Sequence, residues 1–338
     1  MQMRISIFSV QDHYSARPRS VPQLYAEILA QAELADVLGY DTFWVAEHHF
    51  HEYGVVPNPA IMLATIAQRT KRLRLGTAIS VLTFHDPRTI AETYAMVDIL
   101  SGGRLTYGVG SGYLAHEFQG YGVDPAEKRA RFDETLAAVK QLLSGQRTSY
   151  CGRFHRFSDV RLNVEPIQQP VPIYVAVLRK EVAYFIGKQR NNLLCVPYAS
   201  VDKFEDIADI VKEFRRGRAE AGMPADGGLA VALHTHVAET DRQARETAEE
   251  AFNLYVDTRL YAKKSTYEDA LKNGVHLFGS VRTVGDKLVA LRDMGVGHVL
   301  TLQNFGLLPQ RHIHTSMERL MREVVPCVNQ CIGERVVA

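Results

Sequence analysis

The sequence predicts an α/β chain closed into a (β/α)8 TIM barrel with insertions, and three observations carry that expectation. Eight short, apolar, β-rich runs recur along 338 residues, each followed by a stretch of helical period. Several of these runs are nearly continuously apolar, as expected of parallel strands buried on both faces. No clear linker divides the chain, and its length suits one large barrel. Repeated βα units also suit a doubly wound open sheet. Eight units without a linker favour the barrel, read as one domain over residues 1–338.

In chain order, "RISIFSV" (4–10) reads as the first strand. The helix in "SVPQLYAEILAQAELADVLG" follows. Ser20 and Gln23 suggest a capping box, Pro22 lies in the first turn, and Gly39 is the stop. "DTFWVAE" is the second strand, with a helix over 58–69. "RLRLGTAISVL" is the third, with a helix over 87–100. "RLTYGVGSG" is the fourth, with a long helical stretch over 125–143. The region 145–171 holds no sustained period and reads as an excursion. The alternation resumes with "VPIYVAVL", "NLLCV" and a helix at 202–221. "LAVALHTHV" then leads into a helix opened by Thr240 and Gln243. Residues 261–280 read as a second irregular insertion. A helix at 283–294, the strand "HVLTLQ" and a helix at 310–324 close the chain.

Composition narrows the function classes. Hydrophobic residues make up 46% and charged residues 23%, with a formal net charge of +1 and no basic block. Neither a nucleic-acid partner nor an anionic membrane is indicated. The N-terminus turns polar too soon for a signal peptide, and no apolar run nears the ~20 residues of a membrane helix. Cys151, Cys195, Cys327 and Cys331 complete no zinc pattern, so free thiols in a reducing cytoplasm are expected.

A barrel carries its chemistry where the strands end. "FWVAEHHFHEYG" (43–54) places Glu47, His48, His49, His51 and Glu52 just past the second strand. Alternation puts Glu47, His49 and His51 on one face and His48 on the other. A metal needs at least three converging ligands, and no H-E-x-x-H is present, so no metal is assigned. His49 and His51 read as exposed or backbone-bonded. His48 is the better acid/base candidate, because imidazole titrates near neutral pH. Gly110-x-Gly112-x-x-Ala115 fits a relaxed dinucleotide fingerprint but follows the fourth βα unit, where that motif does not belong. Its glycines still let a flat ligand approach the backbone. Arg179 and Lys180 open the helix after strand five and suit an anionic group or solvent; Arg129 and Arg131 carry the same ambiguity. Phe8, Phe84, Tyr198 and Phe305, at loop ends, are candidates to line an apolar pocket.

"GYDTFWVAEHHFHEYGVVPNPA", "RLRLGTAISVL…HDP", "LSGGRLTYGVGSGY" and "VHLFGSVRTVGDKL…LQNFGLLP" together resemble the bacterial luciferase-like flavin-dependent monooxygenases, in order and over nearly the whole chain. The resemblance implies a (β/α)8 barrel with an inserted segment before the last units, mostly found as a homodimer. It implies reduced FMN (FMNH2) supplied by a separate NAD(P)H:flavin reductase and O2 activated as a flavin C4a-hydroperoxide; the apolar loop-end residues add the expectation of an apolar or aromatic small-molecule substrate. Branches of the family use F420 instead, as hydride-transferring oxidoreductases; a non-catalytic flavin-binding relative is a third reading. By position, His48 corresponds to the family's catalytic histidine and Glu47 to the acid before it. Ala78–Ile79 falls where a non-prolyl cis peptide often lies under the flavin. Gly110 stands where luciferase has a cysteine, and Ser111 where it has a phosphate-binding arginine. Arg129 matches another arginine near the phosphate, and Glu117 an acid near the flavin. Leu178, Arg179 and Lys180 replace the small residue and serines of many relatives, which implies either a rearranged phosphate site with Arg179 in it or weak FMN binding.

Overall fold

The computed structural model describes residues 2–177, 180–258 and 264–329. Eight parallel strands form a ring: β1 (Arg4–Ser9), β2 (Thr42–Val45), β3 (Arg74–Thr77), β4 (Leu105–Gly110), β5 (Ile173–Val177), β6 (Asn192–Cys195), β7 (Leu229–Ala238) and β8 (His298–Leu302). Each pairs with the next, and β8 returns to β1 from Arg4↔His298 to Ile7↔Thr301. The sheet therefore closes as the barrel, and the open alternative falls. β2, β4 and β7 are buried at every position, which is why their sequences carry no polar alternation.

Local sequence sets the helix ends. Ser20 Oγ accepts the Gln23 N–H at 3.3 Å, and Gly39 closes helix Val21–Leu38 at φ 82°. The expected capping box is only half made, because the Gln23 side chain turns to Glu27 instead. Asn58 and Asp86 cap helices Pro59–Arg69 and Pro87–Leu100, each with proline in its first turn. After β4 the helical stretch expected over 125–143 forms as the tight turn Pro125–Glu127 running into helix Lys128–Leu142. A short helix that was not expected, Ala115–Tyr121, precedes it and is stopped by Gly122 at φ 64°.

Both insertions contain regular structure that periodicity did not reveal. Residues 145–171 hold an antiparallel hairpin, Thr148–Cys151 with Arg156–Val160, outside the ring. In 261–280, residues 261–263 lie outside the described residues. The remainder holds helix Tyr267–Asn273, with a reciprocal Thr266–Asp269 cap, and strand Leu277–Ser280. That strand pairs with the second half of β7, from Thr235↔Leu277 to Ala238↔Ser280. Elements of four to seven residues are too short to show a period. Among the described residues, Cys151, Cys195 and Cys327 are free thiols, and no helix is long and apolar enough to cross a membrane. Cys331 lies outside the described residues.

Candidate active site

β2 ends at Val45, and the chain leaves the ring through Ala46, Glu47, His48 and His49, all buried. Alternation sends the two acid-flanked histidines to different partners. His48 Nδ1 lies 3.1 Å from Glu117 Oε1, and the same oxygen accepts the His49 backbone N–H at 3.0 Å. Glu117, from the first turn of helix Ala115–Tyr121, thus ties the end of β2 to the loop after β4. With Nδ1 committed to the carboxylate, Nε2 is the nitrogen that remains for a ligand. The ring also packs edge-on against Tyr53, with centroids 4.8 Å apart.

Glu47 faces a different set. Its Oε1 meets His49 Nε2 at 3.0 Å and His85 Nε2 at 2.7 Å, and its Oε2 accepts the Val81 N–H at 3.1 Å. Burial alone would raise this carboxyl, but the His49 and His85 hydrogen bonds outweigh it and hold the group at about 2. His49 is therefore neither exposed nor backbone-bonded through its ring; it is sandwiched between Glu47 and the Tyr121 hydroxyl, 3.1 Å from Nδ1. His51 does follow the expectation: it is exposed, and its Nδ1 accepts the Tyr53 N–H. Glu47, His49 and His85 bring three ligand-type atoms within 4.8 Å of one another. Both imidazoles sit on one carboxylate oxygen at hydrogen-bond length.

A cavity of about 600 Å³ opens at this end of the barrel. Of the candidate site residues, Glu47, His48, Ala78, Ile79, Gly110, Ser111, Glu117 and Arg129 all line it. The Ala78–Ile79 peptide is cis, as the resemblance implied. Gly110 ends β4 against it: a β-carbon there would lie 2.2 Å from Ile79 Cδ1. That close approach explains a glycine where a side chain would displace Ile79. The Ser111 carbonyl accepts the Thr83 hydroxyl at 3.0 Å, which joins the loops after β3 and β4. Arg129 is half-exposed and paired with Asp133 at 2.7 Å. Arg179 lies outside the described residues; Lys180 is exposed.

Two of the four apolar candidates, Phe8 and Tyr198, reach the cavity. Phe84 does not; it stacks on Tyr121 with centroids 4.6 Å apart. Phe305 is fully buried against His234, Phe252 and Phe278. Sequence reasoning missed Tyr53 and Lys128, which also line the cavity, and the role of Glu117 as partner of His48. The available signals were a tyrosine before Gly54 in the histidine segment and a second cation beside Arg129.

The residues fit a flat, anionic-tailed cofactor. Ala78, Ile79, Val81 and Gly110 offer side-chain-poor or apolar surface for a ring, and Lys128 and Arg129 supply cations for a phosphate. A closed barrel with such a cavity and a His–Glu pair at its C-terminal mouth belongs to the class of barrel enzymes. Residues 3–298 match the model of the luciferase-like monooxygenases, and the chain belongs to that family. It is 28% identical over 98% of both chains to the oxygenase component of a flavin-dependent trigonelline monooxygenase from Acinetobacter baylyi. The crystal structure of the monooxygenase RslO1 from Streptomyces bottropensis superposes with a TM-score of 0.89, at 28% identity, over 96% of this chain and 99% of that one. An F420-dependent glucose-6-phosphate dehydrogenase from Amycolatopsis mediterranei is 29% identical over 55% of this chain and 58% of its own.

Proposed function

We propose that the chain, one luciferase-like barrel domain over residues 1–338, is the oxygenase of a two-component system. It uses FMNH2 and O2 to oxidise an apolar or aromatic small molecule, and a separate NAD(P)H:flavin reductase supplies the reduced cofactor. The observation that carries this reading is His48, fixed through Nδ1 to Glu117 on the wall of the 600 Å³ cavity. Reduced FMN, when bound, supplies the electrons that activate O2. The protein's own residues do the rest. Lys128 and Arg129 bind the phosphate end, with Ser111 beside them, while Ala78, Ile79 and Gly110 bound the ring. Arg179 is assigned to the same phosphate end on the resemblance alone. His48 moves protons at Nε2, and Glu117 fixes the tautomer that makes Nε2 the working nitrogen. Glu47 acts by position: ionised and bonded on both oxygens, it locks the loops after β2 and β3 around the cavity. Phe8, Val10 and Val196 keep water from that space.

Ile61, Met96, Ile99 and Leu100 stay exposed on helices Pro59–Arg69 and Pro87–Leu100, which supports a homodimer through that face. The reading places the enzyme in the cytoplasm, where a reductase maintains FMNH2. The test is reconstitution with reductase, FMN and 18O2: product carrying one 18O atom supports it. The second reading is an F420-dependent oxidoreductase, favoured by two cations, Lys128 and Arg129, on the cavity wall, which suit a longer anionic tail. Substrate turnover with F420 in the absence of O2 would establish it instead.

A further inference from the structure

The charges around the cavity are unevenly placed, and this constrains what binds beside the cofactor. The ring order puts β1 and β2 opposite β5 and β6. The cations that line the cavity, Lys128 and Arg129, open the helix that follows β4. The sector from β6 round to β2 is different. Its lining is Phe8, Val10, Tyr53, Val196 and Tyr198, with His48 between. Among the described residues no cation lines that sector. The carboxyl groups that line the cavity are the buried Glu47 and Glu117. An anionic group placed there faces like charge in a poorly solvated space, which is strongly unfavourable.

The aromatic wall is also held rigidly. Tyr53 is buried, edge-on to His48, and its hydroxyl lies 3.2 Å from the hydroxyl of the fully buried Tyr255. Tyr255 packs on His234, centroids 5.0 Å apart, and His234 packs on Tyr198 at 4.7 Å. Tyr53 and Tyr198 are thereby backed by one buried cluster on both sides of the sector. Aromatic rings held in fixed positions favour a flat π-system over a puckered saturated one.

We propose that the organic substrate is uncharged, flat and π-rich, and that Tyr53, held by Tyr255, is the residue that selects for it. This rests on the flavin monooxygenase reading. Tyr53 is a specificity-determining residue here, with proton transfer left to His48.

The experiment uses the full chain loaded with oxidised FMN. FMN binding is measured first, by quenching of flavin fluorescence. Three probes are then titrated by calorimetry: 2-naphthol, 2-naphthoate and decahydro-2-naphthol. They share a two-ring frame and differ in charge or flatness. The expected result is that 2-naphthol binds at least about tenfold more tightly than either of the others. Tyr53→Leu brings 2-naphthol and decahydro-2-naphthol within about threefold of each other, and Tyr53→Phe, which keeps the ring but loses its contact with Tyr255, gives an intermediate ratio. Tyr255→Phe, which loosens Tyr53 without touching the cavity wall, gives an intermediate ratio. Naphthoate binding as well as naphthol overturns the charge argument. An unchanged flat-to-saturated ratio in Tyr53→Leu overturns the role of Tyr53. Should Tyr53→Leu fail to bind FMN, an unchanged ratio in Tyr255→Phe overturns that role instead. Failure of the wild-type chain to bind FMN at all defeats the underlying reading, a result distinct from either.

Discussion

The barrel holds a buried histidine at each end, and their surroundings differ in kind. At the floor, His298 opens β8 with its Nε2 2.7 Å from Ser6 Oγ, which in turn accepts the Thr42 N–H. Burial first, and Arg4 second, push this imidazole down to about 3 against the pull of Asp41. It stays neutral and joins β1, β2 and β8. At the mouth, His48 has a carboxylate on Nδ1 and a cavity beside it. The difference teaches that burial of a histidine does not mark a reactive one. A charged partner on one nitrogen, with ligand space near the other, is what makes His48 the candidate.

Four substitutions test that contrast, from the largest expected effect to the smallest. His48→Ala should lower product formation by about 10²–10⁴-fold while FMN affinity stays within about threefold. Product per O2 consumed checks this, and normal coupling in the variant would remove His48 from the mechanism. Glu47→Gln should cost about 3 kcal/mol of stability at pH 7. Its folded value, about 2, lies below the ordinary 4.5. Its contribution is therefore complete above pH 4.5 and lost as pH falls toward 2. Urea midpoints of wild type and variant should converge over that window; a constant gap would contradict the hub role.

Gly54→Ala places a β-carbon 2.7 Å from His48 Cδ2. Displacing the imidazole should reduce turnover about tenfold, with little change in unfolding midpoint. Equal turnover would show that the ring's position is not tightly held. His298→Gln should cost only about 1 kcal/mol at pH 7, the worth of one buried hydrogen bond. Because the folded imidazole titrates below its ordinary 6.5, wild-type stability falls as pH drops from 6.5 toward 3, and the variant's acid limb should be flatter. An unchanged limb would mean that another group carries the acid sensitivity.

The ring was legible because its strands are apolar on both faces: "TFWV" and "LTYGVG" leave no polar alternation to confuse with surface strands. His48 was legible from its place one step past a strand. Its partner was not, because Glu117 lies 69 residues away and only closure of the barrel brings β2 and the loop after β4 together. Tyr53 and Tyr255 are paired across 202 residues for the same reason. The hairpin 148–160 was missed because two strands of four and five residues carry too few alternations to read.

β7 runs for ten residues, where β2, β3 and β6 have four. Its first half, Leu229–His234, completes the ring with β6 and β8; its second half, Thr235–Ala238, holds strand Leu277–Ser280 alone. One strand therefore serves two partners end to end, and the described part of the second insertion joins the sheet by this four-residue ladder and the core through Tyr267, His276 and Phe278. A change confined to Thr235–Ala238 would therefore cost the insertion its ladder while the pairings that close the ring stay intact.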